Sequence, residues 1–476
     1  MAIPSGRLVI CVAAIAAALS ACSVPDADEA IAAAPRQPTQ IEAARGPLSL
    51  SESRQLLSRI GGTGAEDILR RHLAVEEAVA GAPLTADNSV TVLHDGPETF
   101  RAIAAAIKGA RHSLNLEYYT IEDVHLDKDG VQLRQLLIEK ARAGVAINIL
   151  YDSYGSSDTP ADFFDDLKKA GVKLLPYHPL SPNPVDTLDI NDRDHRKILV
   201  ADGAIGIVGG VNLAKSYESK SPGSDDEEED ETPTLNPLAQ KDPLADAEWR
   251  DTAIRIEGPA VLELQTLFRD HWRGEKGPEI DETSFFPKTT PKGRDIVRII
   301  GSSPNDEIPR YYVTLISALR NAEQRAWISA AYFVPTPEQE EALMDAARRG
   351  VDVRLLLADD SDSPAAIEAA RARYTDLLAA GIRIFETHGI VLHAKTVTID
   401  GVWSAIGSSN FDHRSVLYND EVDAIVLGAA TAKELEAIFG TGMKIATEID
   451  RDTWEDTRGL PDRMKGFFVG LWERLL

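Results

Sequence analysis

The sequence predicts an α/β protein made of two similar domains related by a pseudo-twofold axis, each a mixed sheet flanked by helices. Three observations carry this. Segments of helical and strand periodicity alternate along the chain. The alternation runs through the same order twice, and a short His/Lys/Asp/Gly/Asn pattern recurs with identical internal spacing, 198 residues apart. A chain of 476 residues is also long enough for two cores with appendages, and at 43% hydrophobic and 26% charged it has a globular composition.

The first residues read as an address. Met1 to Gly6 carries no acidic residue, Arg7 follows, and Leu8 to Ala18 is an apolar run of 11 residues. That is too short to cross a bilayer and suits a signal-peptide core. Leu19-Ser20-Ala21-Cys22 resembles the bacterial lipobox, which implies cleavage before Cys22 and acylation of its thiol. Residues 1–21 are thus expected to be a lipoprotein signal peptide, and the Ala-, Pro- and polar-rich stretch 22–50 a tether. No later stretch reaches the ~20 apolar residues of a membrane span, so the chain would be exported and anchored to a membrane without crossing it. Ser23 after the cysteine points to the outer membrane, facing the periplasm. Both cysteines, Cys11 and Cys22, lie in this region, so a mature chain would hold no internal disulfide.

Residues 51–88 carry apolar side chains at helical spacing, such as Leu56, Leu57, Ile60 and Leu73, and form a helical N-terminal segment. The first domain spans 89–285. Its helices fall at 97–110, 131–144 and 160–171, and its strands at 113–119, 145–151, 172–175, 197–201 and 205–208 across the Asp202-Gly203 turn. The second domain, 286–476, repeats this with helices at 311–321, 337–350 and 364–381. Its strands fall at 326–333, 351–358, 382–385, 394–399 and 403–406 across Asp400-Gly401. Gly144 and Gly350 are helix-stop glycines before strands. Residues 216–247 break the pattern. They include seven consecutive carboxylates, Asp225 to Glu231, and too few large apolar residues to order themselves, so a disordered insertion is expected. The tail 464–472 carries an apolar, aromatic stripe suited to packing on the second domain or, as the alternative, to touching lipid.

The repeated pattern is the strongest chemical signal. His195-Arg-Lys197, four residues, Asp202, six residues, Gly209-Gly210-Val-Asn212 matches His393-Ala-Lys395, four residues, Asp400, six residues, Gly407-Ser408-Ser409-Asn410. Histidine and lysine two apart on a strand project from one face. A phosphodiester needs cations and amides on its non-bridging oxygens, a nucleophile, and an acid for the departing alkoxide. A histidine, lysine and asparagine from each half supply all of these without a cofactor or metal. A single H-x-K pair would read as a salt-bridged surface strand; two with the same spacing at the same point of a repeated fold do not.

These motifs resemble the duplicated H-K-D signature of the phospholipase D superfamily, over roughly residues 90 to 476. Flanking text is similar to its bacterial cardiolipin-synthase-like branch: Leu116-Glu117-Tyr118-Tyr119, Asp194-His195-Arg196-Lys197 and Trp249-Arg250-Asp251-Thr252 in the first half. In the second half it is Tyr332-Phe333-Val334-Pro335, Asn410-Phe411-Asp412-His413-Arg414-Ser415 and Asn419-Asp420-Glu421. The resemblance implies phospholipase D-like domains with the active site at their interface, and His195 as nucleophile with His393 as general acid. The symmetry leaves the reverse assignment open. Lys197, Lys395, Asn212, Asn410 and Ser408 would hold the phosphate. Glu421, 28 residues after His393, would orient that histidine, and Asp251 would orient His195 once the insertion is discounted. Asp202 and Asp400 belong to the catalytic motif, with a mainly structural role expected at their turns. Gly210 replaces the serine the family often has, removing a hydroxyl near the phosphate. The remaining histidines, His72, His94, His112, His125, His178, His271, His388 and His413, read as surface or hydrogen-bonded, with His413 placed near the site by its motif.

The implied activity is phosphodiester transfer on phospholipids through a phosphohistidine, as in a cardiolipin-synthase-like phosphatidyltransferase. A phospholipase D hydrolase using water, a nuclease and a non-catalytic surface lipoprotein are the alternatives. A net charge of -26 counts against nucleic acid as a partner, since affinity for a polyanion comes largely from Lys and Arg. The expected partners are a phospholipid and a membrane surface, met by a monomer.

Overall fold

The computed structural model describes residues 24–35, 38–60, 68–179, 191–218 and 247–457. Each half lays down seven principal strands in the same order. In the first these are β1 (Leu84–His94), β2 (Ser113–Tyr118), β3 (Ala146–Asp152), β4 (Lys173–Tyr177), β5 (Lys197–Ala201), β6 (Ile205–Gly209) and β7 (Thr252–Glu257). In the second they are β8 (Asp295–Ser302), β9 (Arg325–Ala330), β10 (Asp352–Ala358), β11 (Arg383–Thr387), β12 (Lys395–Ile399), β13 (Trp403–Gly407) and β14 (Asn419–Leu427). The spatial order β4-β3-β2-β5-β6-β7-β1 is repeated as β11-β10-β9-β12-β13-β14-β8. In each half the outer three strands run parallel and the inner ones antiparallel, so the sheet is mixed, as the sequence predicts. β1 is long enough to serve two neighbours. Its start pairs with β8 (Thr85↔Val297) and its end with β7, which joins the halves into one sheet.

Local sequence explains the helix ends. Helices α1 (Asp95–Gly109), α2 (Leu133–Arg142), α3 (Ala161–Lys169) and α4 (Ala260–Gly274) of the first half match α5 (Arg310–Arg320), α6 (Pro337–Arg348), α7 (Pro364–Ala379) and α8 (Ala429–Met443). Thr336 caps α6 in a capping box with Gln339. Gly144 and Gly350, at φ 93° and 94°, make the left-handed turn that drops the chain into β3 and β10. Between the halves, Ile198, Val208 and Ile254 share a buried cluster with Val297, Ile406 and Val422. Each such side chain contributes about 1.5–3 kcal/mol by leaving water, so the two halves are held as one body.

Three boundary expectations are corrected. The helical segment expected over 51–88 ends before Leu84, where β1 already begins. The expected tether is folded over 24–35 and 38–50: Ala27–Ala33 is a helix whose first turn is capped by Asp26, which accepts at Oδ1 from the Glu29 amide at 3.0 Å, and Ala27 is buried. Its alanines are small enough for close helix packing, and the Ala27 amide donates to Glu338 at 2.9 Å. Ile41–Ala43 then pairs parallel with the start of β1. The following segment packs Leu57, Ile68 and Leu73 into the core of the second half, beside Tyr312 and Leu319. There His72 is buried between Ser317 (3.1 Å) and Glu76 (3.0 Å). The segment expected to be a disordered insertion is ordered at its first residues, 216–218. Lys215–Tyr217 is a 3-10 turn and Tyr217 is buried, because its ring fills space at the site described below. The acidic run, the signal region with Cys22 and the aromatic tail lie outside the described residues. Among the described residues no helix is long and apolar enough to cross a membrane.

Candidate active site

Each histidine is set down by a strand of the opposite half. Arg193–Asp194 pairs parallel with the start of β14, and the His195 amide donates to the Asp420 carbonyl at 2.9 Å. By the same operation Glu248–Arg250 pairs parallel with Ile390–Leu392, and the His393 amide donates to the Arg250 carbonyl at 2.7 Å. Both imidazoles therefore line one cleft of about 680 Å³, with Asn212 and Asn410 on its wall. The Oδ1 of Asn410 is buried without a hydrogen-bond partner among the described residues.

The crossed strands correct the expected carboxylate pairing. Glu421 lies 3.0 and 3.1 Å from Nδ1 of His195, not beside His393. Asp251 lies 2.8 Å from Nδ1 of His393, not beside His195. The reason is the parallel zipper: the strand bearing each carboxylate continues past the other half's histidine. Ser408 is corrected as well. Its hydroxyl is fully buried and donates to Glu421 at 2.5 Å, so it braces the carboxylate and does not face the phosphate position. In the first half Gly210 holds the equivalent place, and a Cβ there would meet Asp251 Oδ1 at 2.2 Å. The missing hydroxyl is supplied from elsewhere, by Tyr217, which donates to Asp251 at 3.1 Å.

Burial sets the electrostatics. Lys197 and Lys395 each donate to their own histidine's carbonyl at 2.6 Å. Burial pulls them down to about 7 and about 8 respectively. A bound phosphodiester anion would restore their charge. Burial, then the two lysines, holds His195 well below the usual histidine range. His393 is lowered by burial and Lys395 while Asp251 opposes the shift. Burial raises Glu421 to about 7 against the pull of Lys197 and three side-chain donors.

Asp202 and Asp400, counted with the catalytic motif, do not line the cleft. Asp202 accepts from the amides of Arg111, His112 and Ser113 at 2.7–2.9 Å. Asp400 accepts from those of Glu323, Gln324 and Arg325 at 2.7–3.0 Å. Each sits at a strand turn with φ 52° and clips the loop entering β2 or β9. Asp400→Ala is therefore expected to cost about 2–4 kcal/mol by stranding three amides. Denaturant midpoints with activity per folded molecule check this; a fall in activity at unchanged stability would restore a catalytic role.

Several neighbours stand in the flanking text that resembles the family, with no role assigned from sequence. Tyr119, Trp249 and Tyr332 place rings 5.3–6.1 Å from one or other imidazole. Behind the site, Arg196 joins Glu117 (3.3 Å) and Asp420 (3.1 Å), and His271 meets Glu117 at 2.8 Å. Burial opposes charge on His271, yet Glu117 and Asp420 outweigh it and raise it to about 9. Glu117, Asp194 and His271 are spaced as cation ligands would be, but Arg196 and the protonated His271 already supply the counter-charge there. Glu117, Tyr119, Asp194, Arg196, Trp249, Tyr332 and Asp420 all stand in that flanking text; of this group His271 does not, and it is brought in by α4.

Two α/β halves that each bring a histidine and an asparagine to one cleft, with a buried lysine beside each histidine, form the architecture of the phospholipase D superfamily. A family model described as "Cardiolipin synthase, PLD-like domain" matches residues 103–221 and 315–442, one region in each half, and the chain belongs to that family. It is 34% identical over 380 residues to cardiolipin synthase A of Pseudomonas fluorescens, covering 79% of this chain and 73% of that one. It is 32% identical over 363 residues to a cardiolipin synthase of Halalkalibacterium halodurans, covering 76% of this chain and 67% of the other. The fold is also that of phosphatidylserine synthase from Haemophilus influenzae, with a TM-score of 0.57 at 11% identity, covering 85% of this chain and all of the other.

Proposed function

We propose that the chain is a phosphatidyltransferase that joins phospholipids as its cardiolipin synthase relatives are named for doing. The observation that carries this reading is the meeting of His195 and His393 in one cleft, each with a buried lysine and a carboxylate on Nδ1. His195, kept neutral with its Nδ1–H toward Glu421, attacks the phosphorus through Nε2. The bond to the headgroup oxygen breaks, and His393 gives that oxygen its Nε2 proton. An acceptor alcohol then loses its proton to His393 and attacks the phosphorus. The P–N bond breaks and His195 returns to its starting state. Lys197, Lys395, Asn212 and Asn410 hold the non-bridging oxygens throughout. Carboxylates on the cleft wall, among them Glu122, Asp158 and Asp362, argue against an extended nucleic-acid strand.

The test is incubation with labelled phosphatidylglycerol and resolution of the lipid products by mass. A product carrying two phosphatidyl groups is expected. Phosphatidic acid alone would establish water as the acceptor and replace transfer by hydrolysis.

The same reading has Cys22 acylated and the chain held on the periplasmic face of the outer membrane as a monomer, which brings the cleft to its substrate. Cys22→Ser should move the protein out of the membrane fraction or stall it as precursor in fractionated cells. Full retention with normal processing would show that another element holds it.

A further inference from the structure

The internal duplication provides a control within the molecule: any place where the two half-sites differ can separate the roles of the two histidines. Residues 198 apart are equivalent, so Tyr217 answers to Ser415 and Gly210 to Ser408. In the second half both serines donate to Glu421, at 2.5 and 2.7 Å, and Asn419 adds a third donor at 3.2 Å. Among the described residues Nδ1 of His195 meets Glu421 alone. In the first half both serines are missing, and a single tyrosine closes a triangle. The Tyr217 hydroxyl is 3.1 Å from Asp251 Oδ2 and 2.7 Å from Nδ1 of His393, which is itself 2.8 Å from that carboxylate oxygen.

The triangle holds two hydrogens, one on the phenol and one on Nδ1. With Nδ1 protonated, both can point at oxygen. With Nδ1 bare, the phenol at 2.7 Å or Lys395 Nζ at 2.9 Å would have to donate to it, and its lone pair would still face the Asp251 oxygen at 2.8 Å, which is repulsive. The phenol oxygen is also a second acceptor beside Nδ1–H, and with Asp251 it opposes the pull of burial and of Lys395, whose Nζ is 2.9 Å from the same nitrogen. On the other side, three donors spend themselves on Glu421, weakening it as a base and leaving His195 neutral. One histidine is thus built to carry a proton and the other to offer a lone pair.

We infer that Tyr217 is a positioning residue that commits His393, through Asp251, to the acid–base role and so breaks the symmetry of the duplicated site. This rests on the transfer reading above. The ring also packs at 5.4 Å from Trp249, so Tyr217→Phe keeps the packing and removes only the hydroxyl.

The experiment compares burst rates of intermediate formation from phosphatidylglycerol, whose alkoxide needs a proton, and from phosphatidyl-p-nitrophenol, whose leaving group does not. Tyr217→Phe should slow the first about tenfold, part of the ~10²–10⁴ that a general acid supplies, and the second less than about twofold. Its counterpart Ser415→Ala, acting through Glu421, should slow both equally. Equal slowing of both substrates by Tyr217→Phe, or slowing of neither, would overturn the inference. His393→Ala is measured alongside. If its nitrophenol burst is lost too, His393 is not the acid, and the transfer reading falls together with the role of Tyr217. If that burst survives while Tyr217→Phe shows no leaving-group dependence, only the tyrosine is misassigned.

Discussion

His195→Ala is expected to abolish turnover and leave no covalent intermediate, with the folded state intact. The imidazole is 11% exposed and its Nδ1 is held by Glu421, so the substitution removes one ring from a cleft wall and opens no cavity in a core. What is lost is the only step that splits a difficult displacement into two easier ones. Direct attack by the acceptor would have to proceed without an enzyme-bound intermediate, and a fall of at least about 10⁴-fold is expected, comparable to loss of a member of other nucleophilic constellations. The measurement is denaturing quench under alkaline conditions with phosphatidyl-p-nitrophenol, followed by mass analysis of the histidine-bearing peptides. Wild type should carry the phosphatidyl adduct on His195, and the His195→Ala variant on no residue. An adduct on His393 in that variant would reverse the assignment of the two histidines.

The repeated unit was legible because each copy is local. Histidine, lysine, aspartate and asparagine lie within 18 residues on and beside two adjacent strands, and period-2 and period-3.6 patterning places the helices and strands read over 97–208 and 311–406 to within about three residues. Strands β1, β7, β8 and β14 and helices α4 and α8 were not read. What was not legible is whatever crosses the pseudo-dyad. Counting 28 residues from His393 to Glu421 finds the right carboxylate but gives it the wrong histidine, because spacing within one half carries no information about which partner the strand passes. Composition misled at 22–50 for another reason. Alanine-rich text looks like a tether until a facing helix is available to bury it. Tyr217 was hidden by the acidic run that follows it, although the 198-residue offset to Ser415 would have marked it as a site position. Ser408 and Gly210 were judged by nearness to the motif, when what decides their role is the carboxylate each one faces.

The crossed pairing makes its own prediction, of nearly the same size. Glu421→Gln should suppress intermediate formation from both leaving groups, by about 10³–10⁴-fold. A neutral amide no longer favours Nδ1–H on His195; an NH₂ group turned towards Nδ1 donates to it and moves the proton to Nε2, the atom that must attack. Asp251→Asn should act on the other histidine and therefore depend on the leaving group: a large loss with phosphatidylglycerol and a small one in the nitrophenol burst, where no proton is required. Both carboxylates are buried at 0–1% exposure, so each substitution exchanges one hydrogen-bonding group for another of the same shape, and thermal midpoints serve as the control. Were each carboxylate to serve the histidine of its own half, the two variants would exchange behaviours. Asp251→Asn would then remove the nitrophenol burst, and Glu421→Gln would spare it.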